Sequence, residues 1–273
     1  MNIQTQINQG MTMLEQFAAV LDGAAKQACA VRQLSQQSPI TLDDAYEIQR
    51  LSIEQRCARG ERLTGFKLGF TSKAKQEQMG VSDLIWGRLT DAMVIHSGDE
   101  IDLSHYVHPR VEPEVAFILD KPLAGDVSRE QAIAAVAWVM PALEVIDSRY
   151  RDFKFSHIDV VADNCSSTGY VLGPKTDLLS FMAERDLADL SMVMTADGEP
   201  VAQGRSSAIL EDPINALIEA ARCLGEYGES LKPGDVLLAG AATAAVALQP
   251  GQRIATKVQG LGVCGFSVKG QQA

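Results

Sequence analysis

Apolar positions change period along the chain. Residues 12–37 carry helix formers with few breakers after Gly23, which predicts a first helix. Thr41 opens a second, with Asp44 three positions on in capping-box spacing, an apolar stripe of Ala45, Ile48, Leu51 and Cys57, and Gly60 as the stop. From Leu63 the period shortens to two. Phe66, Leu68 and Phe70 share one face of a predicted strand, and Gly65, Lys67 and Gly69 share the other. Residues 111–119 and 142–147 read as further strands. Between them Ser128 and Gln131, again in capping-box spacing, announce a helix running to about Met140. Asp197-Gly198 marks a hairpin turn between strands at 190–195 and 200–203, Asp212-Pro213 starts a helix through Leu224, and residues 236–268 are glycine-punctuated strand. A helix-rich front and strand-rich back, with few β–α alternations, predicts an α+β fold and not a Rossmann arrangement. The division falls between a helical portion, 1–61, and a β-rich portion, 62–273, that holds the candidate chemistry.

Composition narrows the class. The 273 residues are 46% apolar and 22% charged, ordinary globular usage, so a substantial core without cross-links is expected. A net charge of −11 and the absence of any basic run exclude a nucleic-acid footprint and suit an anionic membrane poorly. Five scattered cysteines without CxxC spacing disfavour a disulfide framework or a zinc site. No apolar run approaches a membrane span and the N-terminus lacks a basic-then-apolar signal, so a cytoplasmic location is expected.

The segment RVEPEVAFIL is the most informative for chemistry. On a strand Glu112 and Glu114 point the same way, starting about 7 Å apart, so both carboxylates can converge on one cation. The alternative is a solvated strand face. Pro113 removes a ladder donor and suits an edge or a bulge. Glu144, embedded in PALEVIDS, needs a partner or a metal to stay charged. Three oxygen ligands select a hard cation, Mg²⁺ or Mn²⁺. His105 and His108 are not in metal spacing. Lys67, flanked by two glycines on its face, is a candidate proton carrier or carboxylate grip, against the alternative of a surface lysine. Asp83, in the loop 80–87, is weaker from local pattern alone. No GxGxxG, P-loop or GxSxG motif is present.

The runs FKLGFTSKAKQEQMGV, EPEVAF, ALEVIDSR, VADNCSS and LAGAATAAV with GQRI, in that order, closely resemble the fumarylacetoacetase-like hydratase/decarboxylase group of aromatic meta-cleavage degradation. The resemblance covers about Arg62 to Val268. It implies a mixed β-roll of the fumarylacetoacetase C-terminal kind with an N-terminal helical portion, and Mg²⁺ or Mn²⁺ on Glu112, Glu114 and Glu144. It further implies Lys67 and Asp83 as catalytic residues, and Asn164, Ser166 and Thr243 lining the pocket. Cys165 stands where such proteins often have alanine, with no evident chemical use.

Two activities share this site in the group. One is decarboxylation of 4-oxalocrotonate (2-oxo-3-hexenedioate) to 2-hydroxypenta-2,4-dienoate and CO₂; the other is hydration of that dienoate. IDSRYRDFKF and WGRLTDAM resemble the decarboxylase branch, and Arg149, Arg151 or Lys154 would then recognise the second carboxylate. The expectation is a metal-dependent carboxy-lyase acting on a small dicarboxylic oxo-acid. The alternatives are the hydratase and a non-catalytic partner of the sister hydratase. A homo-oligomer, a complex with that hydratase, and no nucleic acid or membrane partner complete the reading.

Overall fold

The computed structural model describes residues 10–72 and 83–270. The capping signals read in the sequence are formed. Thr12 caps α1 (Met13–Gln27), and Thr41 and Asp44 cap each other's backbone at the start of α2 (Leu42–Ala58). Ser128 and Gln131 do the same for α3 (Arg129–Ala134), and Ser156 with Asp159 for α4 (His157–Ala162). The helices α5 (Leu178–Glu184) and α6 (Pro213–Glu226) start on the side chains of Asp177 and Asp212. Among the described residues no helix is long and apolar enough to cross a membrane.

Among the described residues thirteen strands form two sheets. In chain order they are β1 (Leu63–Gly69), β2 (Ile85–Thr90), β3 (Glu100–Ile101), β4 (Arg110–Leu119), β5 (Val136–Ile146), β6 (Ser167–Leu172), β7 (Thr176–Asp177), β8 (Ser191–Ala196), β9 (Glu199–Arg205), β10 (Val236–Ala241), β11 (Val246–Ala247), β12 (Arg253–Val258) and β13 (Gly262–Val268). The larger sheet runs β2-β1-β10-β4-β5-β6, with β11 beside β4 and β7 beside β5; the smaller runs β3-β13-β12-β8-β9. Among the described strand pairs β1–β10 and β13–β3 are parallel and the rest antiparallel. Asp197 and Gly198, both with positive φ, make the β8–β9 hairpin turn that their sequence announces. The α+β expectation holds.

Two local readings need correction, and a third, the edge or bulge expected at Pro113, is narrowed to the bulge. The first helix ends at Gln27, not Gln37, because Ala28 turns into the left-handed region and Val31 then exchanges backbone hydrogen bonds with Arg149 and Arg151. Tertiary pairing outweighs helix propensity there. The helix begun at Ser128 ends at Ala134, and Val136–Met140 belong to β5, whose register with β4 runs from Val136 to Ile146. All five residues of Val136–Met140 are apolar although Trp138 is exposed, so the sequence shows no alternation to separate strand from helix. Finally, Pro113 lies in an interior strand and not at an edge. It faces a bulge between Leu238 and Ala241 of β10, where its carbonyl accepts from Ala242 N.

One apolar cluster joins Ala18, Leu21 and Ile48 of the N-terminal helices to Phe66, Phe117 and Leu217. A second, with Val111, Leu143, Met194 and Phe266, packs the two sheets together. Gln49 of α2, fully buried, donates to the carbonyls of Trp86 and Val161. The sheet therefore depends on residues before position 62 for part of its cover. Ile48→Ala should lower unfolding stability by about 2–5 kcal/mol in urea denaturation, and a chain shortened to 62–273 should show no cooperative transition. A cooperative transition of the shortened chain at unchanged midpoint would contradict this shared core.

Candidate metal centre

The register of the large sheet assembles the carboxylates. Glu112 pairs directly with Glu144 across β4–β5, and Glu114 lies two positions further on the same face of β4. All three are buried, Glu114 and Glu144 completely, and each offers an oxygen within 4.8 Å of the others. The solvated-face alternative is excluded. Lys67 of β1, 3% exposed, places Nζ 3.0 Å from Glu144 Oε2. It reaches over β10 and β4, three strand spacings of about 4.8 Å, so two long side chains must extend toward each other to meet.

Backbone and hydroxyl donors fix the acids. Gly240 N donates to Glu114 Oε2 at 2.8 Å, at a position with φ 110° where an added Cβ would fall 2.2 Å from Thr71 Oγ1, so glycine is required. Ser167 Oγ donates to Glu144 Oε1 at 2.8 Å. Glu114 Oε1, though buried, has no hydrogen-bond partner. Three carboxylates buried this close repel one another, and a divalent cation among them would relieve that repulsion. Burial, then the charges of Glu144 and Glu112, raise the Glu114 pKa well above the carboxylate range; burial also raises that of Glu144. Burial works to lower the Lys67 pKa, but Glu144 and the other acids outweigh it and raise it, so its ammonium form is held. The donor set, its unfilled oxygen and its charge all fit a hard divalent ion.

The wall opposite the acids is a left-handed turn. Asn164, Cys165 and Ser166 have φ of 49°, 52° and 59° in succession, each disfavoured for a residue with a Cβ. Two clamps hold them there. Arg149, 5% exposed, binds Asp163 through backbone N and Nε and donates also to Thr168 and to the carbonyls of Asp147 and Asp163. Asn164 binds both backbone groups of Arg88, donating to its carbonyl and accepting from its N–H. The turn aims the Cys165 carbonyl at Lys67 Nζ, 3.3 Å away, and feeds Ser167 to Glu144.

These elements border a cavity of about 610 Å³. Lys67, Glu112 and Ser166 line it, Ser166 with its buried hydroxyl unpartnered. The other expected site residues fall elsewhere. Arg149 is off the cavity lining, and four of its five side-chain donors are bound inside the protein, so it braces the turn. Asn164 is likewise a brace. Arg151 is exposed and off the cavity lining, whereas Lys154 is on it. Thr243 donates to Ala244 O, and its neighbours Ala244 and Ala245 face the cavity instead. Asp83 is paired with Arg222 at 2.8 Å, so orienting Lys67 would require breaking that pair; residues 80–82 of its loop, and 73–81 of the first matching run, lie outside the described residues. The Cys165 thiol, pushed up to about 12 by burial, donates to Trp86 O. Its carbonyl, not its sulfur, serves the site. Sequence reasoning missed Ser167, Gly240 and Arg110; position −2 from Glu112 on the same strand face was the signal for the last.

Comparison with known proteins gives a consistent picture. Residues 67–269 match the fumarylacetoacetate (FAA) hydrolase C-terminal family. The chain is 52% identical over 259 residues to a 4-oxalocrotonate decarboxylase of a Pseudomonas species, covering 95% of this chain and 99% of that one. It is 38% identical over 229 residues to a 2-hydroxyhexa-2,4-dienoate hydratase of Comamonas testosteroni, covering 82% and 85%. Among solved structures, 4-oxalocrotonate decarboxylase from Pseudomonas putida G7, complexed with magnesium and adipate, superposes with a TM-score of 0.90 at 35% identity over 96% of this chain and 100% of that one.

Saturation with Mg²⁺ or Mn²⁺ at about one hundred times Kd should stabilise the protein by roughly 2.7 kcal/mol, a rise of about 5–10 °C in thermal midpoint. Glu114→Gln should lose most of that rise. An equal rise in the variant, followed by differential scanning fluorimetry, would show that the ion binds elsewhere.

Proposed function

The chain belongs to the fumarylacetoacetate hydrolase C-terminal family, and on that basis we propose that it is a metal-dependent carboxy-lyase converting 4-oxalocrotonate to 2-hydroxypenta-2,4-dienoate and CO₂. The observation that carries the reading is the buried Glu112–Glu114–Glu144 cluster with Lys67 at one end of a cavity large enough for a six-carbon diacid. In this reading Glu112, Glu114 and Glu144 hold Mg²⁺ or Mn²⁺. Bound there, the ion supplies a Lewis acid next to the oxo-acid end of the substrate.

Loss of the remote carboxylate breaks the C5–C6 bond. The electron pair moves through the C3–C4 double bond to the C2 oxygen, which takes a proton to give the dienol, and CO₂ leaves without charge. Negative charge therefore grows at the oxygen next to the acid cluster. Lys67, buried and held in its ammonium form, puts a fixed positive charge at that end in surroundings where water does not screen it. The Cys165 carbonyl and Glu144 hold the ammonium in place, so little reorganisation accompanies the charge movement. Ser166 Oγ, buried and unpartnered on the cavity wall, offers a hydroxyl to a substrate oxygen.

The reading extends to a role in aromatic meta-cleavage degradation in the cytoplasm, as a homo-oligomer that also assembles with the hydratase consuming its product. The acidic net charge and the hydratase relative support it. With Mg²⁺ present, purified protein given 4-oxalocrotonate should release one CO₂ per dienoate formed. Lys67→Met should lower kcat by about 100-fold or more, and Glu112→Gln, Glu144→Gln or chelation should abolish turnover. Protein that only hydrates the dienoate would establish the hydratase instead, and protein inert on both would establish a silent partner.

A further inference from the structure

The acid cluster accounts for the oxo-acid end of a substrate but not for the choice of a dicarboxylate over a monocarboxylate. Among the described residues the cations on the cavity wall are Lys67, Arg110 and Lys154. Lys67 belongs to the acid cluster. Arg110 opens β4 two positions before Glu112, hence on the same face and about 7 Å along the strand. That offset is comparable to the separation between the two ends of a six-carbon diacid. Its guanidinium carbon lies 4.3 Å above the Phe153 ring, and among the described residues it has no hydrogen-bond or ion-pair partner.

Phe153 is placed there at a cost. Asp152 and Phe153 have φ of 58° and 55°, a left-handed pair that is disfavoured for a bulky aromatic. His108 and Phe155 frame the ring, with centroids at 5.1 and 5.7 Å. The stack leaves the fork of the guanidinium edges open, the geometry that suits a carboxylate. Asp152 shares this rim, but Arg110 and Lys154 outnumber it.

We propose that Arg110, seated on Phe153, binds the remote carboxylate of the substrate, the group that leaves as CO₂, and so selects dicarboxylates. This rests on the decarboxylase reading above. Phe153 is the positioning residue. Because the carboxylate loses its charge in the transition state, an ion pair to it stabilises the bound substrate more than the transition state, and its removal weakens binding without slowing the chemical step.

The test pairs turnover of 4-oxalocrotonate with inhibition by adipate, which has both carboxylates, and by 2-oxopentanoate, which keeps only the oxo-acid end. Arg110→Gln should raise KM and the adipate Ki by about tenfold or more, while kcat does not fall and the 2-oxopentanoate Ki changes by less than about twofold. Phe153→Leu should move the same constants in the same direction by less. Arg151→Gln, exposed and off the cavity, should change none of them. Unchanged KM and adipate Ki in Arg110→Gln, or equal weakening of both inhibitors, would overturn the assignment. A wild-type protein that releases no CO₂ would refute the decarboxylase reading instead; the two inhibitors' binding, followed by calorimetry, would still decide the role of Arg110.

Discussion

Three carboxylates buried within 4.8 Å of one another are the constraint around which this protein is organised. Glu112, Glu114 and Glu144 come from adjacent strands in direct register, and Lys67 pairs with Glu144. An arrangement of this kind is unstable by itself: burial and mutual repulsion push protons onto Glu114 and Glu144. It becomes favourable when a divalent ion occupies the oxygens. The rest of the large sheet serves that geometry. The bulge in β10 opposite Pro113 turns the Gly240 amide toward Glu114, and the close approach of Thr71 leaves room there for glycine alone.

The left-handed turn at Asn164–Ser166 is the second dependence. Three successive residues in a disfavoured region persist only because their surroundings determine them more strongly than local preference does. Arg149 with Asp163 and Asn164 with Arg88 supply that determination. Through Arg88 the support reaches Gln49 in α2 and Glu229 beyond α6. The helical front of the chain thus braces the catalytic wall, although none of its side chains belongs to the acid cluster.

Much of this was legible in the sequence, for identifiable reasons. Capping pairs such as Thr41–Asp44 and Ser128–Gln131 are local, so spacing alone revealed them. The acid cluster was legible because strand periodicity puts Glu112 and Glu114 on one face and because Glu144 had no apolar excuse. What escaped was set by tertiary pairing. Val136–Met140 read as helix because five apolar residues in a row show no alternation, and the chain left the helix after Gln27, with Val31 pairing to the Arg149 loop. Arg149 and Asn164 were expected to touch substrate, since a charge or amide near a site reads the same from sequence whether it faces inward or braces a loop. Arg110 was passed over because attention went to the charged turn at 149–154; only the fold shows Phe153 of that turn lying beneath it.

Protons and a divalent cation compete for the same buried carboxylates. Calorimetric titration with Mg²⁺ in two buffers of different ionisation enthalpy counts the protons released on binding. One ion per chain is expected, with net proton release that increases, and affinity that weakens, as pH falls toward the acid range. Glu114→Gln should reduce both the affinity and the release. Binding without proton release at any pH, or binding unaffected by Glu114→Gln, would contradict the account.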